Sequence, residues 1–192
     1  MSYVIENLFP TPIYSCILEN RDNVQSEISH ALLDITYDDS YNYNNGGKTF
    51  ETTDPTTDII IQKQLTNLEQ AIDYHLKKYC NELGFETRQY RRTAWIVKNS
   101  AGGHTMSHTH GEYDIAGVYY FQTNEADGEI YFESPVSSAL SSLCYQRCAE
   151  RYQHTPVAGK LLLFPGWLAH GVKTNTTDTD RISVAFSIGF VR

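Results

Sequence analysis

Cysteine is scarce in this chain, with 4 in 192 residues, at positions 16, 80, 144 and 148. No two of them form a Cys-x-x-Cys pair, so neither a zinc ribbon nor a redox dithiol motif is encoded. Cys144 and Cys148 stand four apart but have no matching partner ligands, and they read as small buried or half-buried residues. The start, MSYVIENLFP, lacks a signal-peptide pattern; the expectation is a cytoplasmic protein with reduced thiols. No apolar run approaches the roughly 20 residues needed to cross a bilayer, so no membrane role is expected. Basic residues are also few. Against 23 Asp and Glu stand 15 Lys and Arg, giving a net charge of −8 and a pI near 5.3. Such a surface repels a phosphate backbone, which argues against general nucleic-acid binding. Arg88, Arg91 and Arg92 form the one local basic cluster and read as a solvated strand edge.

Tyrosine and glycine, by contrast, are abundant, at 14 and 12, and hydrophobic residues make up 41% of the chain. This composition fits a β-rich globular protein, and the length fits one domain over residues 1–192. TPIYSCIL (11–18) reads as a first strand. Asp22 opens a helix with Val24, Ile28, Ala31, Leu32 and Ile35 on one face. The tract 37–57 is rich in Tyr, Asn, Gly and Thr and reads as a long loop, a candidate lid. A second helix is predicted over 57–83, with the stripe Ile61, Leu65, Leu68, Ile72, Leu76 and Tyr79 and a stop at Gly84. The helical segment, about 22–83, is expected to pack on the outside of the domain. From residue 87 the period changes to two. Strands are expected at 90–98, 104–110, 114–122, 129–133, 153–157, 160–164, 168–173 and 181–191. Eight short strands with turn-rich joints predict a mainly β fold, a double-stranded β-helix or jelly roll, behind N-terminal helices. Residues 136–150 fit no element and read as an insertion beside its mouth.

Three features of the β region carry chemistry. His108 and His110 alternate at strand spacing, so both rings can reach one ion. His170 lies far downstream, in FPGWLAHGV. Arg181 begins the apolar strand ISVAFSI, where an unpaired guanidinium would be costly, and Ser183 follows on the same face. A metal site beside an anion site is the simplest reading. His110 and Glu112 have the same spacing as His108 and His110, so the residues alone leave open which pair binds. His30, His75, His104 and His154 read as surface or hydrogen-bonded residues.

LFPTPIY (8–14), AWIVKN (94–99), HTHGEYDIAGVYY (108–120), LLLFPGWLAHGVKTN (161–175) and RISVAF (181–186) resemble, in order and spacing, a hydroxylase branch of the iron(II)- and 2-oxoglutarate-dependent oxygenases. That branch is common in bacteria and phages and belongs to the prolyl-hydroxylase-like superfamily. The resemblance implies Fe(II) as cofactor and 2-oxoglutarate as cosubstrate. Related sequences usually carry proline where this chain has Gly111 and commonly lack the acid at 112. That implies His108, His110 and His170 as iron ligands, with Glu112 as the challenger. The resemblance also implies that Arg181 and Ser183 hold the C5 carboxylate of 2-oxoglutarate. GVYYFQ resembles a prolyl-hydroxylase strand, which adds Tyr120 to that grip. The expected reaction is hydroxylation coupled to oxidative decarboxylation of 2-oxoglutarate, on a protein side chain or a metabolite. Two alternatives remain open: a three-histidine dioxygenase that does not use 2-oxoglutarate, and a non-enzymatic jelly-roll binding module. Homo-oligomerisation is left open as well.

Overall fold

The computed structural model of the chain describes residues 10–37, 49–52, 58–146 and 150–192. Among these residues, ten strands form two antiparallel sheets. The larger takes in β1 (Tyr14–Ile17), β2 (Thr49–Glu51), β3 (Tyr90–Asn99), β5 (Ile115–Gln122), β8 (Lys160–Pro165) and β10 (Arg181–Phe190), in the order β1-β8-β5-β10-β3-β2. The smaller has the order β4-β9-β6-β7, from β4 (Thr105–His108), β6 (Ile130–Phe132), β7 (Tyr152–His154) and β9 (His170–Val172). This is the jelly roll expected from the period-two region.

Strand alternation divides the large sheet into two faces. On β5, Ile115 and Tyr119 join one apolar cluster, while Ala116, Val118 and Tyr120 face a second. β8 does the same, with Leu161 and Leu163 against Leu162 and Phe164. The first cluster is completed by helices α1 (Arg21–Leu32) and α3 (Thr66–Glu82), through Val24, Ile28, Leu68, Ile72 and Leu76. The second cluster lies between the sheets, with Ile130 and Phe132 of the small sheet. Helices thus cover one face and the small sheet covers the other, so the space between the sheets is where a site can form.

Several boundaries differ from the sequence reading. The helix expected over 57–83 is two helices, α2 (Ile59–Gln62) and α3, separated by a tight turn. Asp58 caps α2 by accepting hydrogen bonds from the amides of Ile60 and Ile61, and Gln64 adopts φ +52°. A residue in that left-handed region cannot continue a right-handed helix, so the apolar phase restarts after it. Ile61, counted in the continuous stripe, is accordingly 64% exposed. The start of α3 takes its partners from α1: the Glu27 carboxylate accepts from the amides of Asn67 and Leu68 at 2.9 and 2.6 Å. A carboxylate at a helix N-terminus satisfies otherwise orphan donors. Thr49–Glu51, inside the tract read as loop, is a strand paired with β3; the rest of that candidate lid lies outside the described residues. The expected strand 153–157 is cut to Tyr152–His154, before Pro156, which has no amide hydrogen to give a ladder. Strands 11–18, 104–110 and 168–173 are likewise shorter, at Tyr14–Ile17, Thr105–His108 and His170–Val172. In the 136–150 segment, Ser137–Ser141 forms a 3₁₀ turn.

The basic cluster also differs from its reading. Arg91 is exposed, but the Arg92 side chain is only 4% exposed and bonds Asp58 at 2.6 Å and Glu69 at 2.9 Å. It ties β3 to both helices of the broken segment and is a buried structural ion pair, not a surface charge. Cys16 is half-buried, Cys80 buried and Cys144 exposed, all as free thiols; Cys148 lies outside the described residues.

Candidate active site

The imidazoles of His108, His110 and His170 meet between the sheets. One ligand atom from each lies within 4.8 Å of the others, the only such cluster of His, Cys, Asp or Glu among the described residues. His108 ends β4 and His170 begins β9, directly opposite each other in the ladder. Side chains opposite in an antiparallel pair share a face, which brings these two rings to 4.4 Å between centroids. His110 arrives differently from the strand-alternation argument. β4 has already ended, and His110 sits in the following turn, its amide donating to the Gly166 carbonyl at 2.8 Å. Gly166 allows this close approach: a Cβ there would lie 2.1 Å from the Tyr113 carbonyl oxygen.

Hydrogen bonds settle which ring nitrogen faces the centre. The Nδ1 atoms of His108 and His170 lie 2.9 Å from the Met106 and Leu168 carbonyls, each two residues back. A carbonyl only accepts, so these nitrogens carry the hydrogens and Nε2 keeps its lone pair. Nε2 of His110 lies 3.3 Å from Nε2 of His170, while its Nδ1 meets the Ser187 hydroxyl at 3.0 Å. Metal–nitrogen bonds of about 2.1 Å put neighbouring ligand atoms roughly 3 Å apart, so this spacing suits a metal ion. Burial pushes the His170 pKa down to about 3 and that of His110 to about 4, with His108 adding to both shifts. Both rings are therefore neutral at pH 7, the form in which imidazole ligates. The Glu112 carboxylate lies elsewhere. It is 85% exposed, 4.0 Å from Arg91, and outside the cluster.

Next to the imidazoles is a cavity of about 80 Å³, lined among others by Trp95, Tyr120, Arg181, Ser183 and the three histidines. Arg181 is 2% exposed. Its Nη1 donates to the Gly128 carbonyl at 2.6 Å and its Nη2 to Asn99 Oδ1 at 2.5 Å, leaving Nε buried with no partner among the described residues. Burial lowers its pKa, with Tyr120 and Asp127 acting in the opposite direction. A buried guanidinium held by two neutral oxygens is poised for an anion. Ser183 lies two residues on along β10, paired with Tyr120 of β5. Burial raises the Tyr120 pKa to about 12, so it stays protonated and can donate a hydrogen bond.

All six residues singled out from the sequence thus reach one cavity, whereas His30, His75, His104 and His154 stay out of the cluster. Two contributors were missed. Asn99, fully buried, fixes the Arg181 fork, and Ser187 meets His110. Continuing the alternation Arg181, Ser183 to Ser187 would have found the second. The first needed the β3–β10 register, which sets Asn99 opposite Arg181.

A jelly roll with three inward imidazoles and a buried arginine defines the class of metal-dependent double-stranded β-helix proteins. Residues 93–187 match the family model described as "Putative 2OG-Fe(II) oxygenase". Over residues 93–187 the chain thus carries the sequence of the Fe(II)- and 2-oxoglutarate-dependent oxygenases. No curated protein matches its sequence. Among solved structures it is similar to a Pseudomonas putida prolyl-4-hydroxylase, at 13% identity and TM-score 0.63 over 95% of this chain and 94% of that one. It is also similar to HygX from Streptomyces hygroscopicus, solved with nickel and 2-oxoglutarate, at 14% identity and TM-score 0.65 over 94% of this chain and 84% of that one. A 2OG-Fe(II) oxygenase from Burkholderia pseudomallei aligns at 11% identity and TM-score 0.62, over 86% of this chain and 77% of the other. At such identities the likeness establishes the fold.

Proposed function

We propose that His108, His110 and His170 hold the iron, and that Arg181, with Ser183 and Tyr120, holds the C5 carboxylate of 2-oxoglutarate. The observation that carries this reading is the pairing of three converging imidazole nitrogens with a buried guanidinium whose Nε has no hydrogen-bond partner among the described residues, in one cavity. Three neutral imidazoles on one side fit a ferrous ion and leave positions for further ligands. When bound, the iron supplies oxygen activation, coupled to oxidative decarboxylation of 2-oxoglutarate and hydroxylation of the substrate.

The residues of the chain bind, orient and exclude water. Backbone carbonyls and Ser187 hold each ring with Nε2 inward. Arg181 offers its free Nε–H to the cosubstrate, and Tyr120 and Ser183 donate hydroxyls from adjoining strands. Trp95, with its ring centroid 6.0 Å from that of His110, walls the site. The alternative of a three-histidine dioxygenase that does not use 2-oxoglutarate leaves Arg181 without a ligand, and the binding-module alternative leaves the imidazoles without one.

For the substrate we propose a side chain presented by a protein. The cavity is small, about 80 Å³, and His108 is exposed, so the metal end opens to the surface. The fold shared with a prolyl-4-hydroxylase is in keeping with this. The test is an anaerobic titration of the purified protein with ferrous iron and 2-oxoglutarate. A visible charge-transfer band that needs both is expected. Iron binding without that band would favour the three-histidine dioxygenase that does not use 2-oxoglutarate, and no iron binding would favour the binding module.

A further inference from the structure

Two of the three imidazoles are tethered locally. His108 and His170 each bond a backbone carbonyl two residues back on their own segment, so their ring orientation follows from strand geometry. His110 has no such tether. It lies beyond the end of β4, and among the described residues the only hydrogen-bond partner of its Nδ1 is the Ser187 hydroxyl, 77 residues away on β10. Ser187 is 1% exposed and sits on the same strand face as Arg181 and Ser183.

We infer that Ser187 is a positioning residue that fixes the tautomer and rotation of His110. The chemistry runs through one proton. An imidazole free to choose puts its hydrogen on either nitrogen. If Nε2 carries it, the lone pair points at β10 and no ligand faces the centre. The Ser187 hydroxyl, which can donate or accept, is placed to take the Nδ1 hydrogen and so supports the tautomer that leaves Nε2 free for a metal. The same bond stops rotation about the ring axis, which the turn after β4 cannot do alone. Such outer partners typically change metal affinity by about tenfold to a hundredfold. β10 then serves both ends of the cavity, gripping the cosubstrate at Arg181 and aiming a ligand at Ser187.

The inference rests on the three-histidine reading for its effect on metal but not for the tether itself, and the experiment separates the two. Two-bond proton–nitrogen correlation spectra of the metal-free protein report the tautomer of each ring. Wild type is expected to show a single ordered His110 tautomer, Ser187→Ala a mixture, and Ser187→Thr, which keeps the hydroxyl, the wild-type pattern. Titration with cobalt(II) in the absence of 2-oxoglutarate is expected to show about tenfold to hundredfold weaker binding in Ser187→Ala, with an altered visible spectrum, and recovery in Ser187→Thr. A wild-type tautomer and wild-type cobalt affinity in a folded Ser187→Ala would overturn the inference. If wild type itself binds no cobalt, the three-histidine reading falls, and the tautomer spectra still decide the tether. A Ser187→Thr that resembles the alanine variant in both measurements would also count against the hydroxyl.

Discussion

At the scale of single residues, the unsatisfied Nε of Arg181 is the most consequential atom in the molecule. A buried donor without an acceptor is unfavourable by about 1–3 kcal/mol, more for a charged group. A ligand carboxylate would relieve it. Arg181→Gln should therefore weaken 2-oxoglutarate binding by on the order of tenfold to a hundredfold, through loss of a charge-assisted bond of ~1.5–3 kcal/mol. Iron content should be unchanged. Ser183→Ala should move the affinity less, in the same direction. Calorimetry on iron-loaded protein under nitrogen measures both, and equal affinity in Arg181→Gln would remove the arginine from the site. The metal ligands can be sorted in the same way. His170→Ala and His108→Ala should lose iron, whereas Glu112→Gln should keep it, since its carboxylate is exposed toward Arg91. Metal analysis of the purified variants reads the outcome, and iron loss in Glu112→Gln with retention in His108→Ala would reinstate the carboxylate as ligand.

At the scale of elements, β5 is tightly packed. It lies between β8 and β10, and a Cβ on Gly117 would fall 2.3 Å from the Phe186 ring and 3.0 Å from the Leu162 carbonyl oxygen. Gly117→Ala must push Phe186 out of place, and overpacking of this kind typically destabilises by about 1–3 kcal/mol. A lowered thermal midpoint is expected, and an unchanged one would mean that the ring moves freely. Elements also divide what sequence reveals from what it hides. Period-two alternation made β3, β5, β8 and β10 readable, because each has one face on the helices and one on the cavity. The break between α2 and α3 was hidden, because the apolar residues on either side of Gln64 happen to keep a helical spacing. β2 was hidden because three residues are too short to show a period, and its existence depends on β3 being there to pair with. In the site, residue type and spacing exposed the imidazoles, Arg181 and Ser183. Asn99 stayed silent because its task comes from a partner 82 positions away.

At the scale of the whole molecule, the site is linked to stability through protons. In the folded metal-free protein His170 and His110 have pKa values of about 3 and about 4, against an ordinary value of 6.5. The unfolded chain therefore takes up protons first as pH falls. Stability conferred by these neutral rings is complete above about pH 6.5 and declines as pH drops toward 4. Urea unfolding of metal-free protein at pH 7, 6 and 5 should show a falling midpoint, with a shallower fall in His170→Ala. A flat profile in wild type would mean that the rings are solvated in the folded state.

The single face shared by Arg181, Ser183 and Ser187 has one more consequence. Side chains on a strand alternate, so sliding β10 by one residue against β3 and β5 would turn all three toward the helices at once. The apolar residues Ile182, Val184 and Ile188 would then enter the cavity. Such a misthreaded chain could remain compact and β-rich while losing the anion grip and the anchor of one imidazole together. Loss of activity by this route would come all at once, so a preparation should behave as a mixture of fully competent and wholly inert molecules, not as a population of uniformly slowed ones.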